Sequence, residues 1–230
     1  MIKISIIIPI FNEAETIEKL LNHLIASSSA QNIHDIIVVD GGSTDTSKDI
    51  VSNFKNVILI PSEKGRAKQM NVGSKHANGE ILYFLHADSF PPKNFDNLII
   101  DSVEKGNYAG CFKMKFKSDH WWLKLAGWFT KFSWNICRGG DQSLFIKKSL
   151  FQDIGGFDER YIIYEDNIII KKLYALNQFK VIQKSIITSA RKYETHGVWK
   201  LQCHFFMIHL KHWFGANANE LHSYYKKHIT

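Results

Sequence analysis

The stretch Ile81-Leu82-Tyr83-Phe84-Leu85-His86-Ala87-Asp88 decides the fold class of this chain. Its first five residues are continuously apolar, which is typical of a strand buried on both faces of a parallel sheet. Aspartate is seldom fully buried without a partner, so we expect Asp88 at the carboxyl edge of this strand, where open α/β sheets bind ligands. Asp88 also suits a turn, and this stretch alone leaves that alternative open.

Apolar runs of strand length also occur upstream, at residues 4–10, 36–39 and 57–60. Residues with helical spacing separate these runs. Apolar side chains recur in this way between Ile17 and Ile25, and the pair Asn12 and Glu15 before them resembles a capping box, which makes Asn12 the predicted N-cap. A second helix is predicted from the turn at 41–45 to about residue 54, and a third over residues 65–77. This alternation predicts βαβ units and an α/β fold with a mostly parallel central sheet flanked by helices.

The pattern changes after about residue 105. We predict a single domain over residues 1–230, with a regular α/β half at 1–105 and a second half at 106–230. The second half begins with a predicted strand at 108–116 and ends in a helical segment. It is aromatic-rich at 121–136 and 198–214. These aromatic residues form either the core of the second half or a surface.

Composition limits the class of protein. The chain has 230 residues and a formal net charge of +7, but it has no long run of Lys or Arg, which argues against nucleic acid as a partner. Cys111, Cys137 and Cys203 are too far apart for a metal-ligand motif, and scattered cysteines fit a reducing cytoplasm. The start of the chain has no signal-peptide pattern, and no apolar run is long enough for a membrane span.

Two charged residues lie where the predicted elements could bind a ligand: Asp40 at the end of a strand and Arg66 at the start of a helix. Asp40 ends a predicted buried strand and is followed by Gly41 and Gly42, so a ligand could approach the backbone and bind the carboxylate; a tight turn explains the same residues. Arg66 opens a predicted helix after Gly65. A cation at a helix N-terminus opposes the helix dipole, so Arg66 is expected to bind an anion such as a diphosphate.

Glu165 and Asp166 are adjacent carboxylates in an apolar segment. Such a pair favours a raised pKa on one member, which suits a general base. The alternative is an acidic pair at the N-terminus of a helix that begins near Asn167. The histidines near the carboxyl terminus lack an HExxH pattern, and only His196 is kept as a weak third-ligand candidate for a metal.

Taken in chain order, these motifs resemble those of the family 2 nucleotide-sugar glycosyltransferases, which have the GT-A fold. The resemblance covers nearly the whole chain. The motifs are SIIIPIFNE at 5–13, VVDGGSTD at 38–45, GRAKQMNVG at 65–73, FLHAD at 84–88, GDQSLF at 140–145, GGF at 155–157, ED at 165–166, TSARKYE at 188–194 and GVW at 197–199. The last two resemble a compact bacterial subfamily of unassigned substrate, named for its association with radical-SAM and selenium-related genes.

The resemblance implies a role for each half. The half at 1–105 would bind a nucleotide sugar, with Asp40 on the base, through Pro9, Ile10, Phe11, Asn12, Glu13, Asp40, Gly41, Arg66, Asn71, His86, Ala87 and Asp88. The half at 106–230 would bind the acceptor, and Gly140, Asp141 and Gln142 would border the sugar and acceptor. Asp166, together with Glu165, would supply the catalytic base.

The implied cofactor is a divalent cation, Mn²⁺ or Mg²⁺, held by Asp88 as the last acid of a DxD-like motif. His86 stands where the family has its first acid. Histidine is a competent ligand for Mn²⁺, whereas Mg²⁺ prefers oxygen, so His86 is a weaker metal candidate and otherwise a residue of the sugar or diphosphate pocket.

The implied activity is transfer of a sugar from a nucleoside-diphosphate sugar to an acceptor hydroxyl, with inversion. Two alternatives remain open: a non-catalytic module that binds nucleotide sugars, and a sugar nucleotidyltransferase, although the latter usually has a glycine-rich loop where this chain has residues 9–13. The acceptor is unknown. A basic, aromatic surface would suit a lipid-linked acceptor and a peripheral position on an anionic membrane at its inner face.

Overall fold

A computed structural model describes residues 2–134, 137–138 and 142–229. Within these residues the strands are β1 (Ile4–Ile10), β2 (Ile33–Asp40), β3 (Val57–Pro61), β4 (Ile81–Phe84), β5 (Ser89–Phe90), β6 (Ala109–Phe116), β7 (Leu144–Lys147) and β8 (Phe179–Thr188). The helices are α1 (Ile17–Ser27), α2 (Ser47–Ser52), α3 (Arg66–His76), α4 (Phe95–Glu104), α5 (Trp121–Phe129), α6 (Lys148–Asp153), α7 (Glu165–Ala175), α8 (Arg191–His196), α9 (Val198–Trp213) and α10 (Ala218–His228).

The strands form one sheet in the order β3-β2-β1-β4-β7-β6-β8-β5. The four strands of the first half that lie side by side, from β3 to β4, are parallel. Strand β7 is antiparallel to both β4 and β6, and β6 pairs in parallel with β8. The α/β class and the GT-A type of sheet predicted from the sequence are confirmed.

Strand β1 lies at the centre of the core, with all seven of its residues buried. Because side chains alternate across a strand, Ile6 and Ile8 pack on the side of α1 and α4, while Ile7 packs on the side of α3 and α7. Burying one such side chain stabilises the fold by roughly 1.5–3 kcal/mol. The two helical layers therefore hold the sheet from both faces and leave its strand ends accessible.

The predicted N-cap of the first helix is wrong. Helix α1 begins at Ile17, with Thr16 as its N-cap residue, and Asn12 lies in a loop in the left-handed region, with φ of 54°. The amide oxygen of Asn12 accepts a hydrogen bond from the Thr44 backbone instead. Bonding to the neighbouring loop outcompetes local capping here, since the two loops pack side by side.

Many aromatic residues of the second half lie at the surface. Trp121, Trp128, Trp199 and Trp213 are 60, 48, 53 and 80% exposed, so these side chains do not form a core. A small cluster of buried residues, including Leu201, joins α9 and α10 to the segment that precedes α7. Among the residues that the structure describes, no helix combines the length and apolar character needed to cross a membrane.

Candidate functional site

The loops after β1 and β2 are bonded to each other at the carboxyl edge of the sheet. The Asn12 amide donates to Ser43 Oγ at 2.9 Å, and Thr44 donates to Asn12 Oδ1 at 2.8 Å. The Glu13 amide donates to Ser47 Oγ at 2.8 Å. Pro9 and Ile10 are buried in the preceding strand, whereas Phe11 is 36% exposed. Two of the predicted nucleotide-binding motifs therefore lie side by side.

Asp40 is buried and holds the turn that follows it. Its carboxylate accepts hydrogen bonds from the amides of Gly42 and Ser43, each at 3.1 Å. Both explanations of Asp40 agree with this position, because the carboxylate shapes a turn at the strand edge where a ligand would bind. The expected contact of Asp40 with a base stays a prediction.

Gln69 fastens α3 to the same edge, although the sequence analysis assigned it no role. Its side-chain amide donates to the carbonyl oxygens of Ile10 at 2.8 Å and Val39 at 2.7 Å. A Cβ on Gly41 would lie 3.0 Å from the Gln69 side chain, so the glycine makes room for it. The signal in the sequence was a glutamine next to the apolar residues of the predicted helix. If such a glutamine is buried, its amide needs hydrogen-bond partners.

After β4 ends at Phe84, the chain passes through Leu85 into His86, Ala87 and Asp88, which lie in an irregular segment and a turn. His86 and Asp88 are half-buried, whereas Ala87 between them is buried. The carbonyl oxygen of Asp88 accepts a hydrogen bond from the Ser189 amide at 3.3 Å, which fixes this segment against the end of β8. Asp88 thus lies at the carboxyl edge of a buried strand.

The first turn of α3 and the first turn of α7 meet through an ion pair. Nε of Arg66 lies 2.7 Å from Oε1 of Glu165. The Arg66 side chain is 35% exposed and the Glu165 side chain is fully buried. This contact joins the predicted diphosphate-binding arginine of the first half to the predicted acidic pair of the second.

Helix α7 begins at Glu165, so both acids lie in its first turn, where the helix dipole favours negative charge. Asp166 is 7% exposed. The preceding Tyr164 is in the left-handed region, with φ of 73°, and its hydroxyl lies 2.7 Å from Nδ1 of His209. Burial raises the pKa of Tyr164 to about 12, so this hydroxyl keeps its proton at neutral pH. Helix α9 therefore supports the start of α7.

Asn71 is bonded to the loop that contains the GGF motif. Its side-chain amide donates to Phe157 O and to Glu159 Oε1, each at 2.9 Å, and its oxygen accepts from the Phe157 amide at 3.0 Å. These bonds connect α3 to the second half. They account for the polar side chain of Asn71, and its expected role in nucleotide binding stays a prediction.

Gln142 is buried beside Cys111, whose thiol donates to Gln142 Oε1 at 3.8 Å. Burial raises the pKa of Cys111 to about 11, which keeps the thiol neutral. Gly140 and Asp141, the other two residues expected to border the sugar and acceptor, lie outside the described residues.

Arg191 was not assigned a role from the sequence, although it belongs to the TSARKYE motif. Its Nη2 lies 3.3 Å from Oε1 of Glu13, which brings the motif after β8 to the loop after β1. The arginine is half exposed, so the pair is weakly stabilising. Its importance is geometric, because it joins the start of α8 to the loop after β1 at the carboxyl edge of the sheet.

The donor set suits a divalent cation that shares its coordination with a substrate. Asp88 offers carboxylate oxygens and His86 offers an imidazole nitrogen, a combination that Mn²⁺ accepts more readily than Mg²⁺. In the described part of the chain there is no group of three or more His, Cys, Asp or Glu residues that could hold a metal. His196, at the end of α8, therefore does not join His86 and Asp88 in a three-residue set. Diphosphate oxygens would complete the coordination.

Loops, acids and an arginine lie at the carboxyl edge of a largely parallel sheet, the edge at which open α/β proteins bind ligands. The chain belongs to glycosyl transferase family 2, whose family model matches residues 5–158. This confirms the family resemblance of the sequence. Membership of the radical-SAM-associated subfamily stays a prediction.

Two relatives illustrate the similarity in sequence. The chain is 26% identical over 222 residues to the probable glycosyltransferase YdaM of Bacillus subtilis, which covers 86% of this chain and 52% of YdaM. It is 37% identical over 94 residues to glycosyltransferase AglE of Haloferax volcanii, which covers 38% of this chain and 31% of AglE. The chain thus aligns with about a third to a half of the length of these relatives.

Two solved structures share the fold. TarS 1-349 of S. aureus, in complex with UDP, has a TM-score of 0.70 at 23% identity, with 86% of this chain and 64% of that chain covered. The mannosyltransferase PcManGT of Pyrobaculum calidifontis, in complex with GDP-Man and Mn²⁺, has a TM-score of 0.69 at 20% identity, with 97% and 69% covered.

Proposed function

We propose that the protein is an inverting glycosyltransferase that moves a sugar from a nucleoside-diphosphate sugar to an acceptor hydroxyl. The observation that carries this proposal is the ion pair between Arg66 and Glu165. It joins the residue expected to bind the donor diphosphate to the acidic pair expected to activate the acceptor. Family membership and the edge position of Asp40 and Asp88 support the same activity.

We assign different tasks to the two adjacent acids. Glu165 is fully buried and holds Arg66, so it is a positioning residue. Asp166 would take the proton from the acceptor hydroxyl as that oxygen attacks the anomeric carbon. The bond from this carbon to the diphosphate oxygen breaks in the same step, and the nucleoside diphosphate leaves. Attack from the face opposite the leaving group inverts the anomeric configuration.

Replacing Asp166 with Asn tests this assignment. Asn keeps the volume but cannot accept the proton, so sugar transfer is expected to fall by about 100- to 10,000-fold. Binding of the nucleoside diphosphate, measured by calorimetry, should stay within about twofold of wild type. Exposed Asp153, at the end of α6, provides a control with the same substitution, Asp153→Asn. An Asp166→Asn protein that transfers sugar at the wild-type rate would contradict the role of Asp166.

A divalent cation is the proposed cofactor, with Asp88 as its protein ligand and His86 as a second candidate. When bound, it neutralises charge on the diphosphate leaving group. The Mn²⁺ complex of the structural relative PcManGT supports this choice. Asp88→Ala is expected to abolish the tightening of nucleoside-diphosphate binding by Mn²⁺, measured by calorimetry with and without the metal. Equal tightening in the variant would remove Asp88 from the metal site.

The donor and the acceptor are proposed only by class. The relatives whose structures were solved with UDP, UDP-GlcNAc or GDP-Man support a nucleotide sugar as the donor. A thermal-shift screen of such compounds with Mn²⁺ and Mg²⁺ identifies the donor, because a ligand that binds only the folded state raises its stability. We propose a lipid-linked acceptor and a cytoplasmic location at the inner face of the membrane, which the exposed aromatic residues support.

We also propose that the donor half at 1–105 and the acceptor half at 106–230 work as one domain. Strand β4 of the first half pairs with β7 of the second, and this continuity of the sheet supports the proposal.

A further inference from the structure

Helices α5 and α9 expose aromatic side chains at intervals of seven residues. Trp121 and Trp128 are 60 and 48% exposed on α5, and Trp199, Phe206 and Trp213 are 53, 60 and 80% exposed on α9. Residues seven apart lie on one face of a helix. We call these five residues the aromatic surface.

The two helices form one continuous surface, because they meet at their first turns. The ring of Trp199 lies 5.8 Å from that of Trp121 and 5.2 Å from that of Trp122, measured between centroids. The opposite side of α9 is buried through Leu201 and Ile208. The rings of the aromatic surface therefore face solvent, while the opposite side of α9 packs against the rest of the protein.

The excess positive charge of the protein falls in the two segments that contain and flank α5 and α9. Residues 113–134 and 191–214 contain nine of the 29 Lys and Arg residues but two of the 22 Asp and Glu residues, which leaves 20 of each in the rest of the chain. The whole net charge of +7 thus comes from these two segments. Neither α5 nor α9 contains an acidic residue, and Nζ of Lys131 lies 3.6 Å above the Trp128 ring.

A groove of about 820 Å³ between α9 and α10 extends the surface at the carboxyl end of α9. Met207, Leu210 and Phe214 give it an apolar lining, and Lys211 and Lys227 contribute cations. Glu220 also lines the groove, but its carboxylate accepts a hydrogen bond from the Asn217 amide at 2.9 Å, and the two lysines leave the lining with a net positive charge. A lining that is both apolar and cationic matches a phospholipid, which has an acyl chain and an anionic headgroup.

We infer that the aromatic surface docks onto an anionic phospholipid bilayer, with the helices lying in the plane of the interface. Tryptophan favours the headgroup region, where its ring is half in water and half in hydrocarbon. Lysines near the surface add attraction to anionic lipid. A second copy of the chain fits less well, since a two-fold interface would bring two copies of the same helices together, which carry Lys124, Lys200 and Lys211 and no acidic residue. The inference deepens the proposed membrane-associated function and specifies the surface that makes the contact.

Vesicle co-sedimentation tests the inference without donor, metal or turnover. Wild-type protein is expected to bind vesicles with about 30% phosphatidylglycerol in phosphatidylcholine, and to bind pure phosphatidylcholine at least about tenfold more weakly. The double variant Phe206→Gln/Trp213→Gln should bind the anionic vesicles about tenfold or more weakly than wild type, because it removes two apolar insertions. The matched control is Ile25→Gln/Leu176→Gln, which replaces two apolar side chains that are 51 and 50% exposed elsewhere on the protein and should bind like wild type.

Three further measurements separate the contribution of charge to vesicle binding from that of aromatic insertion. Lys200→Gln/Lys211→Gln should weaken binding to anionic vesicles, and raising the salt from about 0.1 M to about 1 M should weaken wild-type binding, because salt screens the attraction. Acrylamide quenching of wild-type tryptophan fluorescence should decrease with anionic vesicles and not with phosphatidylcholine alone. This second readout needs no variant to fold.

Three outcomes would overturn the inference. The first is no binding of wild-type protein to anionic vesicles, and the second is equal binding by wild type and the Phe206→Gln/Trp213→Gln variant. The third is a mass in sedimentation velocity that shows a dimer lost in this variant while vesicle binding is unchanged, which would assign the surface to a second copy. None of these outcomes affects the proposed transfer reaction, whose tests use nucleotide binding and turnover in solution.

Discussion

Glu165 is a buried carboxylate whose charge is compensated from two directions. Arg66 Nε lies 2.7 Å from it, and the N-terminus of α7 adds the positive end of the helix dipole. The neighbouring Asp166 is also buried, so losing either compensation would leave two close carboxylates in an apolar setting. The arginine thus stabilises the acidic pair, and the pair in turn holds the arginine at the start of α3.

We expect Glu165→Gln and Arg66→Gln each to lower the free energy of unfolding by about 1–3 kcal/mol. This is less than for a fully buried pair, because Arg66 is 35% exposed and solvent screens part of the interaction. Urea denaturation of both single variants and the double variant should give a coupling energy of about 1 kcal/mol.

The exposed pair of Lys68 and Glu63 provides the control for this cycle, and Glu63→Gln should leave the urea midpoint at its wild-type value, because solvent screens an exposed pair. Strict additivity of Glu165→Gln and Arg66→Gln would show that the two side chains do not interact in solution.

At the scale of the element, α3 is positioned by how closely it approaches the sheet. A Cβ on Gly73 would lie 2.5 Å from Ile7 Cγ2 and 3.0 Å from Val39 Cγ2, so only glycine lets the helix pack at this distance. Gln69, one turn earlier, fastens the same helix to the strand ends. The position of Arg66 at the edge of the sheet follows from these two contacts.

Gly73→Ala should therefore destabilise the protein by about 1–3 kcal/mol, because overpacking outweighs the gain of about 1 kcal/mol in helix propensity. Thermal and urea denaturation measure the change. Lys75→Ala, an exposed substitution on the same helix, should change stability little. A Gly73→Ala protein more stable than wild type would mean that α3 relaxes away from the sheet at no cost.

At the scale of the whole molecule, helix α9 places two titratable histidines, His209 and His212, against Tyr164 at the start of α7. Burial lowers the pKa of His209, and neighbouring His212 lowers it further. Burial also lowers the pKa of His212, with a contribution from Lys171. Both histidines are therefore neutral in the folded protein over a pH range in which the unfolded chain binds protons. Their contribution to stability is complete above about pH 6.5 and is lost as the pH falls through the lower folded-state values.

We expect the melting temperature to fall between about pH 7 and about pH 5, and the fall to be smaller in His209→Asn. Asn can keep a hydrogen bond to Tyr164 but does not titrate. Differential scanning calorimetry at several pH values measures both slopes. His222→Asn, on α10, is the matched control and should keep the wild-type slope. A His209→Asn protein with the wild-type slope would separate the pH dependence from this contact.

Local physics makes part of this protein predictable from sequence. A continuous apolar run marks a strand buried on both faces, so 81–85 and its upstream counterparts indicate a parallel sheet, and β4 and β1 lie where this pattern predicts. The helix predicted over residues 65–77 is confirmed as α3, which begins at Arg66 and ends at His76. The order of short motifs also identifies the family, because each motif keeps its place along the chain.

The sequence by itself thus determined the class of fold, the family and the strand edge on which Asp40 and Asp88 lie. The tertiary structure alone decided that Arg66 pairs with Glu165, that Asn12 bonds to a neighbouring loop rather than capping α1, and that the aromatic residues of α5 and α9 face outward. The physical reason is that periodicity and capping depend on residues a turn apart. Contacts between distant segments depend on how whole elements pack, and a buried and an exposed aromatic stripe have the same local pattern.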